Sequence, residues 1–284
     1  MVFRKIVFLL LVNCVAGFAQ GQSLKILTYN IRYDNPGDGV NSWHNRRDWL
    51  CEQVKQVFPG LFGIQEGLFS QIQYIDSVFK GYRRIGVGRE DGKAKGEFSA
   101  IYYDAKKFRM LKQSTFWLSP TPGKVSVGWD AALERICTYG LFQEIATGKK
   151  FWMFNTHFDH IGVNARKNSA LLILKRIRTL NTAGYPVILT GDFNGGPESE
   201  PIQLIAAQLQ DSKVADKSMS MGPGGTFNGF DPKKPITERI DFIFASKKGV
   251  HIQDYYVMRE TRNNRFASDH FAVVAELKCG GFEF

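Results

Sequence analysis

YPVILTGDFN (185–194) runs from a buried strand, Tyr185 to Asp192, into a sharp polar end. Its apolar and β-branched residues favour extended chain. Asp192 and Asn194 lie two residues apart and share one face of an extended backbone, where they can address one water and one phosphate oxygen. The competing reading is an Asx turn, in which both side chains only cap the local backbone. The rest of the chain favours the chemical reading, because six further polar motifs close strand-like runs: TYN (28–30), QE (65–66), GE (96–97), NTH (155–157), RID (239–241) and SDH (268–270). With GDFN (191–194) they supply the carboxylates Glu66, Glu97, Asp192, Asp241 and Asp269, the histidines His157 and His270, and the carboxamides Asn30 and Asn194. Such a set suits a hard cation held by oxygen ligands beside a phosphate held by imidazole.

The segments between the motifs alternate runs and breaks. LKILTYNI (24–31) reads as a strand that delivers Asn30 to a sheet edge. Arg46 to Phe58 reads as a helix, with Trp49, Leu50, Val54, Val57 and Phe58 at helical spacing and Pro59-Gly60 as its stop. LFGIQE (61–66) follows as a short buried strand ending in Glu66. LFQEIA (141–146), Thr147-Gly148 and KKFWMFNTH (149–157) predict a hairpin, and Val163 to Leu180 a helix whose apolar face includes Ala170, Leu171, Leu174, Ile177 and Leu180. ERIDFIFA (238–245) and AVVAEL (272–277) are further strands, and the Gly/Pro-rich stretches at 34–41, 119–128 and 222–235 are loops. Mostly antiparallel strands with outer helices suggest two packed sheets between helices.

The motifs and their order resemble the endonuclease/exonuclease/phosphatase superfamily over nearly the whole mature chain. Within it, TYNIRYDNPGDGVNSWHNRRDWL (28–50), and TFNGF (226–230) ahead of ERIDFIF (238–244), resemble a branch of secreted bacterial proteins. The resemblance implies a four-layer α/β/β/α sandwich and a phosphate-ester hydrolase. It also implies that Asp192 orients the nucleophile or accepts its proton, that Asn194 binds phosphate, and that His157 and His270 act as general acid/base or phosphate-binding groups.

Residue chemistry fills in the rest. Glu66 is the first choice of ligand for magnesium, with manganese as a substitute, helped by Asn30 through its carbonyl oxygen and by Asp269. Asp241 is expected to orient His270, and Glu97 to orient His157. Arg32 projects to the side of Asn30, where it could grip a second phosphate oxygen. Trp43, Arg46, Arg166 and Asn228 complete the expected substrate-binding layer; for the Trp43–Arg47 stretch, a packed tryptophan with solvated arginines is the equal alternative. His44, His160 and His251 are read as structural.

Residues 1–19 read as a signal peptide, with Arg4 and Lys5 before an apolar core, Ile6–Val12, and a small-x-small site at Gly17-Phe18-Ala19. The apolar run is too short for a membrane span. Residues 20–284 are then one secreted or periplasmic domain, read as a monomer with no transmembrane segment. The formal charge of +10 falls to +8 without Arg4 and Lys5, which favours anionic partners without separating nucleic acid, lipid and sugar phosphate. Beyond Cys14, the three cysteines Cys51, Cys137 and Cys279 cannot all pair, and unpaired buried thiols are expected. The leading function is a secreted metal-dependent phosphoesterase acting on phosphodiesters or phosphomonoesters of small organic, sugar or lipid molecules. A nuclease is the alternative enzyme, and a non-catalytic phosphate-ligand binder the alternative of another class. The basic residues form only short clusters such as Arg46-Arg47 and Lys149-Lys150 rather than a nucleic-acid track.

Overall fold

A computed structural model describes residues 23–216 and 224–279; the expected signal peptide, Cys14 and part of the loop at 222–235 lie outside the described residues. In chain order the elements are β1 (Leu24–Asn30), α1 (Trp43–Val57), β2 (Leu61–Gly67), α2 (Phe69–Val78), β3 (Tyr82–Ile85), β4 (Phe98–Asp104), β5 (Phe108–Trp117) and β6 (Ile136–Glu144). They continue with β7 (Lys150–His157), α3 (Val163–Leu180), β8 (Val187–Asp192), α4 (Glu200–Gln208), β9 (Leu209–Asp211), α5 (Ser212–Ala215), β10 (Asp241–Ser246), β11 (Val250–Val257) and β12 (Val273–Cys279). They build two six-stranded sheets, ordered β11-β12-β1-β2-β4-β3 and β5-β6-β7-β8-β10-β9.

Three apolar clusters make four layers. Ile26, Leu61, Ile101, Phe142, Met153, Ile188 and Ile243 fill the space between the sheets. Leu27, Phe62 and Val274 on the outer face of the first sheet pack against Leu50 and Val54 of α1 and Ile72 of α2. Phe154, Leu189 and Phe242 do the same for the second sheet against Ile173 and Ile177 of α3 and Ile202 of α4. Strands covered on both faces read as near-continuous apolar runs, as LKIL and VIL do.

The predicted hairpin forms, with Gln143 opposite Lys150 and Gly148 in the left-handed region at φ 73°. Helix α3 has the expected bounds, but its buried face runs through Ala165, Ala170, Ile173, Leu174 and Ile177, while Leu171 is exposed. The first helix starts at Trp43 rather than Arg46, after a 3-10 turn at Pro36–Asn41. Cys51 and Cys137 are buried free thiols, and Cys279 is a partly buried one.

Beneath the strand ends the inter-sheet layer turns polar. Asn155 of β7 is fully buried and reaches across to the first sheet, donating to the carbonyls of Ile64 and Ala100 at 2.9 Å each. Its oxygen accepts from Gln65 at 2.7 Å and Thr190 at 3.0 Å. Gly63 leaves room for it, since a Cβ there would lie 2.5 Å from the Asn155 oxygen. Replacing Asn155 with Ala strands the two carbonyls away from water, so Asn155→Ala should lower unfolding free energy by about 2–4 kcal/mol in urea titration. A loss below about 0.5 kcal/mol would show that the polar layer does not hold the sheets together.

Candidate active site

All seven motifs come to one edge of the sandwich because the strand directions put them there. β1 and β2 run parallel and end together at Asn30 and Glu66, while β4 and β12 run the other way, so Glu97, Asp269 and His270 precede their starts at the same edge. In the second sheet His157 lies in register with Asp192, and Asp192 with Asp241. Three adjacent strand ends thus carry three candidate catalytic groups side by side. Glu66, Glu97, His157, Asp192, Asp269 and His270, together with Arg32, Tyr33, Arg89, Arg135, His160, Asn194 and Phe227, line a cleft of about 640 Å³, while Asp241 and Asn30 are buried behind them.

Local backbone aims the side chains. A bulge between Ile64 and Gly67 leaves Glu66 at φ 64°, so that Gln65 stays between the sheets and Glu66 turns to the cleft. Arg32 at φ 56° and Asn194 at φ 45° are also left-handed; non-glycine residues rarely adopt this conformation, and such residues cluster at functional sites.

Asn30 joins the two sheets. Its oxygen accepts the Arg32 amide at 3.0 Å, which fixes the amide orientation, and its nitrogen donates to Glu66 Oε1 and Asp192 Oδ2 at 2.9 Å each. The expected ligation through its carbonyl oxygen is therefore corrected: Asn30 clamps the two carboxylates with its nitrogen. The second Glu66 oxygen accepts the Tyr33 amide at 3.0 Å.

Glu66, Asp192 and His157 place one potential ligand atom each within 4.8 Å of one another, as do Asp192, Asp241 and His270. Asp269 shares the cleft but belongs to neither group; its Oδ2 lies 3.7 Å from Arg32 Nη1. Burial and the charge of Asp241 push Asp192 up to about 7, and burial and the charge of Glu66 do the same for Glu97. Asp269 is raised by burial first, then by Glu66. Carboxylates crowded so that they resist ionisation, with oxygen donors converging from separate strands, fit a divalent cation. Glu66 is the residue placed to hold it, with Asp192 beside it.

The two histidines differ. His270 Nδ1 lies 2.9 Å from Asp241 Oδ2, as expected, and Thr226 also donates to that oxygen. Burial opposes a charge on His270, but the carboxylates of Asp241 and Asp192 outweigh it and hold the pKa well above the ordinary value. His157 Nδ1 is 3.8 Å from Glu97 Oε2, too far for a hydrogen bond, because Arg89 takes that oxygen at 2.6 Å. The expected direct pairing of His157 with Glu97 is thus replaced by a looser contact. Burial, then the charges of Arg135 and Arg89, hold His157 well below its ordinary pKa. Asn194 donates to Phe158 O at 2.9 Å and faces His157 Nε2 at 3.1 Å, so its nitrogen is already engaged within the protein. Asp192 Oδ2 stands between the histidines, 3.6 Å from His157 Nε2 and 3.7 Å from His270 Nε2.

Four expected substrate contacts lie elsewhere. Trp43 packs edge-on against Tyr74 in the outer core. Arg46 is 1% exposed, and its guanidinium is spent on the carbonyls of Ile31, Arg32, Asn41 and Ala267. Arg166 donates to Asp159 O, and Asn228 braces the loop at Ser268 and Phe230; neither lines the cleft. Arg32 does line it, though Asp38 holds its Nε and Nη2 at 3.0 Å. Sequence reading missed Arg89 and Arg135, single arginines in loops without a motif of their own. Both are buried at the cleft wall, and Arg89 Nε and Arg135 Nη1 have no hydrogen-bond partner. His160, expected to be structural, also faces the cleft and accepts from Arg135 at 3.0 Å.

A sequence profile of the endonuclease/exonuclease/phosphatase family matches residues 27–270. A crystal structure of an endonuclease/exonuclease/phosphatase family protein from Bacteroides thetaiotaomicron is 38% identical, with a TM-score of 0.84 over 91% of this chain and 98% of that one. A mannosyl-6-phosphatase from the same organism is also 38% identical, with a TM-score of 0.83 over 89% and 99% of the two chains. A probable RNA exonuclease of Saccharomyces cerevisiae is 26% identical over 207 residues, covering 64% of this chain and 39% of that protein.

Asp192 and Glu97 hold protons more tightly when folded, at about 7 against ordinary values of 3.8 and 4.5. In cation-free protein, the stability these groups contribute is greatest at acid pH and falls as pH rises through about 4 to 7. A divalent cation favours the ionised forms. The rise in melting temperature on adding millimolar magnesium or manganese should therefore be larger at about pH 8 than at about pH 5.5, and Glu66→Gln should abolish it. A shift independent of pH, or one retained in Glu66→Gln, would contradict the assignment of these carboxylates to a cation.

Proposed function

This chain belongs to the endonuclease/exonuclease/phosphatase family, and on that footing we propose that it is an exported, magnesium-dependent phosphoesterase acting on sugar phosphates and related small phosphorylated molecules. The observation that carries the reading is Asp192 Oδ2, set within 3.7 Å of the Nε2 atoms of both His157 and His270 and bonded through Asn30 to Glu66. Similarity to a mannosyl-6-phosphatase along almost its whole length supports the substrate class. The signal-like N-terminus supports export to the periplasm or medium. A monomer suffices, because every catalytic candidate comes from one chain.

The bound cation would neutralise charge on the phosphoryl oxygens. Asp192 orients the attacking water and takes its proton; the carboxylate is held for this by Asn30 and by the Asn194 amide at 2.9 Å. His270, with Nδ1 tied to Asp241, presents Nε2–H to the phosphate or to the departing oxygen. His157 is oriented through Asn194 and lines the cleft on the other side of Asp192 from His270. Arg89 and Arg135 contribute positive charge at the cleft wall, where the phosphoryl group carries the most negative charge.

Nucleic-acid hydrolysis is the second reading, supported by the similarity to the yeast RNA exonuclease. It carries less weight because that alignment spans well under half of the relative and the basic residues do not form a continuous track.

Release of 4-nitrophenol from 4-nitrophenyl phosphate and its bis-ester, with and without magnesium, tests the reaction. His270→Ala and Asp192→Ala should each lower turnover by at least about 100-fold while the protein remains folded by circular dichroism. Near-normal turnover in both variants would sink the mechanism; preference for RNA or DNA over sugar phosphates would favour the second reading.

A further inference from the structure

Two loops meet at the mouth of the cleft. The β5–β6 loop carries Val125, Val127, Trp129 and Leu133, and the β7–α3 connection brings Ile161, with Val163 the first residue of α3. All six are between 38% and 64% exposed, and they make up six of the thirteen large exposed apolar side chains among the described residues. Scattered single residues of this kind need no explanation, but a concentration on two touching loops does.

The loops are stitched together. Asp159 accepts the Ala132 amide at 3.1 Å from the first loop and the Ile161 and Gly162 amides at 3.0 and 2.7 Å from its own. Asp130 accepts the Asn164 and Ala165 amides at 3.1 and 2.6 Å, and a Cβ on Gly162 would lie 2.6 Å from Asp130 O. Both loops thus reach the cleft, since Leu133 of the first and His160, the neighbour of Ile161 in the second, line it. Trp129 itself stands at φ 51°, beside a Gly128 whose Cβ would strike Leu118 O at 2.0 Å. A bulky residue held in this conformation at the surface is strained, and strain of this kind persists where the surroundings impose it, commonly at ligand sites.

We propose that this rim binds the carbohydrate portion of a phosphorylated glycan whose phosphate occupies the cleft, with the C–H face of the sugar against Trp129, Leu133 and Ile161. The proposal rests on the phosphoesterase reading and extends it to specificity. A sugar ring is neutral, with an apolar face and hydroxyl edges, and it suits an aromatic and aliphatic surface set among polar groups. An anionic lipid surface suits it less, because the same loop carries the carboxylates Asp130 and Glu134 beside these apolar residues.

Trp129→Asn and Ile161→Asn test the rim. Both positions are exposed, and Asn tolerates the left-handed backbone at position 129. Each variant should raise KM for a 6-phosphorylated mannose oligosaccharide roughly tenfold, with kcat and the hydrolysis of 4-nitrophenyl phosphate changed by less than about twofold. Calorimetric titration of the unphosphorylated oligosaccharide reads the same surface without catalysis, and binding by the parent protein but not by Trp129→Asn is expected. Equal KM for the glycan in parent and variants, or no binding of the unphosphorylated oligosaccharide, would overturn the proposal. So would co-sedimentation with phosphatidylserine vesicles that Trp129→Asn abolishes, which would make the rim a membrane surface. A parent protein that binds the oligosaccharide but hydrolyses no phosphate ester would contradict the phosphoesterase reading and leave the carbohydrate rim supported.

Discussion

The Asn30 carboxamide holds the site in one piece. Glu66 belongs to one sheet and Asp192 to the other, and a partly buried and a buried carboxylate brought this close repel each other. The two hydrogens of the Asn30 nitrogen satisfy one oxygen of each, and the Arg32 amide prevents the carboxamide from turning over. An aspartate at this position would add a third negative charge, and a leucine would leave both carboxylates without their shared donor. The geometry requires β1 to lie beside β2 and to face β8 across the sandwich, so the order of strands and the chemistry at their ends are one constraint.

Below Asn30 the same logic continues inward. Asn155, Gln65, Thr28 and Thr190 fill the space between the sheets with hydrogen bonds to one another, and the apolar core begins only further from the cleft. This bonded polar layer specifies how the sheets align, because a shift in register would break several bonds at once. Strain is concentrated at the same edge: Arg32, Glu66 and Asn194 all take left-handed backbone within a few residues of the candidate ligands. Such positions are held open by the strands they terminate rather than by their own preference.

Much of this was legible in the sequence, since strand-end motifs report their position through the apolar runs before them. GDFN, NTH and RID fall on adjacent strands in register, and His270 meets Asp241 as its residue types suggested. Residue type did not reveal direction. Asn30 could offer either end of its amide, and only the Arg32 amide decides which. Arg46 looked like a solvated or substrate-facing cation, yet four backbone carbonyls gathered by folding allow its burial. Leu171 fits the helical period, but the stripe of α3 that meets the sheet passes through Ile173 instead. Arg89 and Arg135 come from loops whose approach to the cleft depends on tertiary packing, and no local pattern marks them.

The most direct test of the account is anomalous diffraction from crystals of the protein soaked in manganese and inorganic phosphate. A manganese peak is expected within direct coordination distance of the Glu66 carboxylate on the Asp192 side of the cleft, with phosphate between His157 and His270 and the Asn30 nitrogen still turned toward Glu66 and Asp192. A peak remote from Glu66, or one ligated by the Asn30 oxygen with its amide reversed, would contradict it.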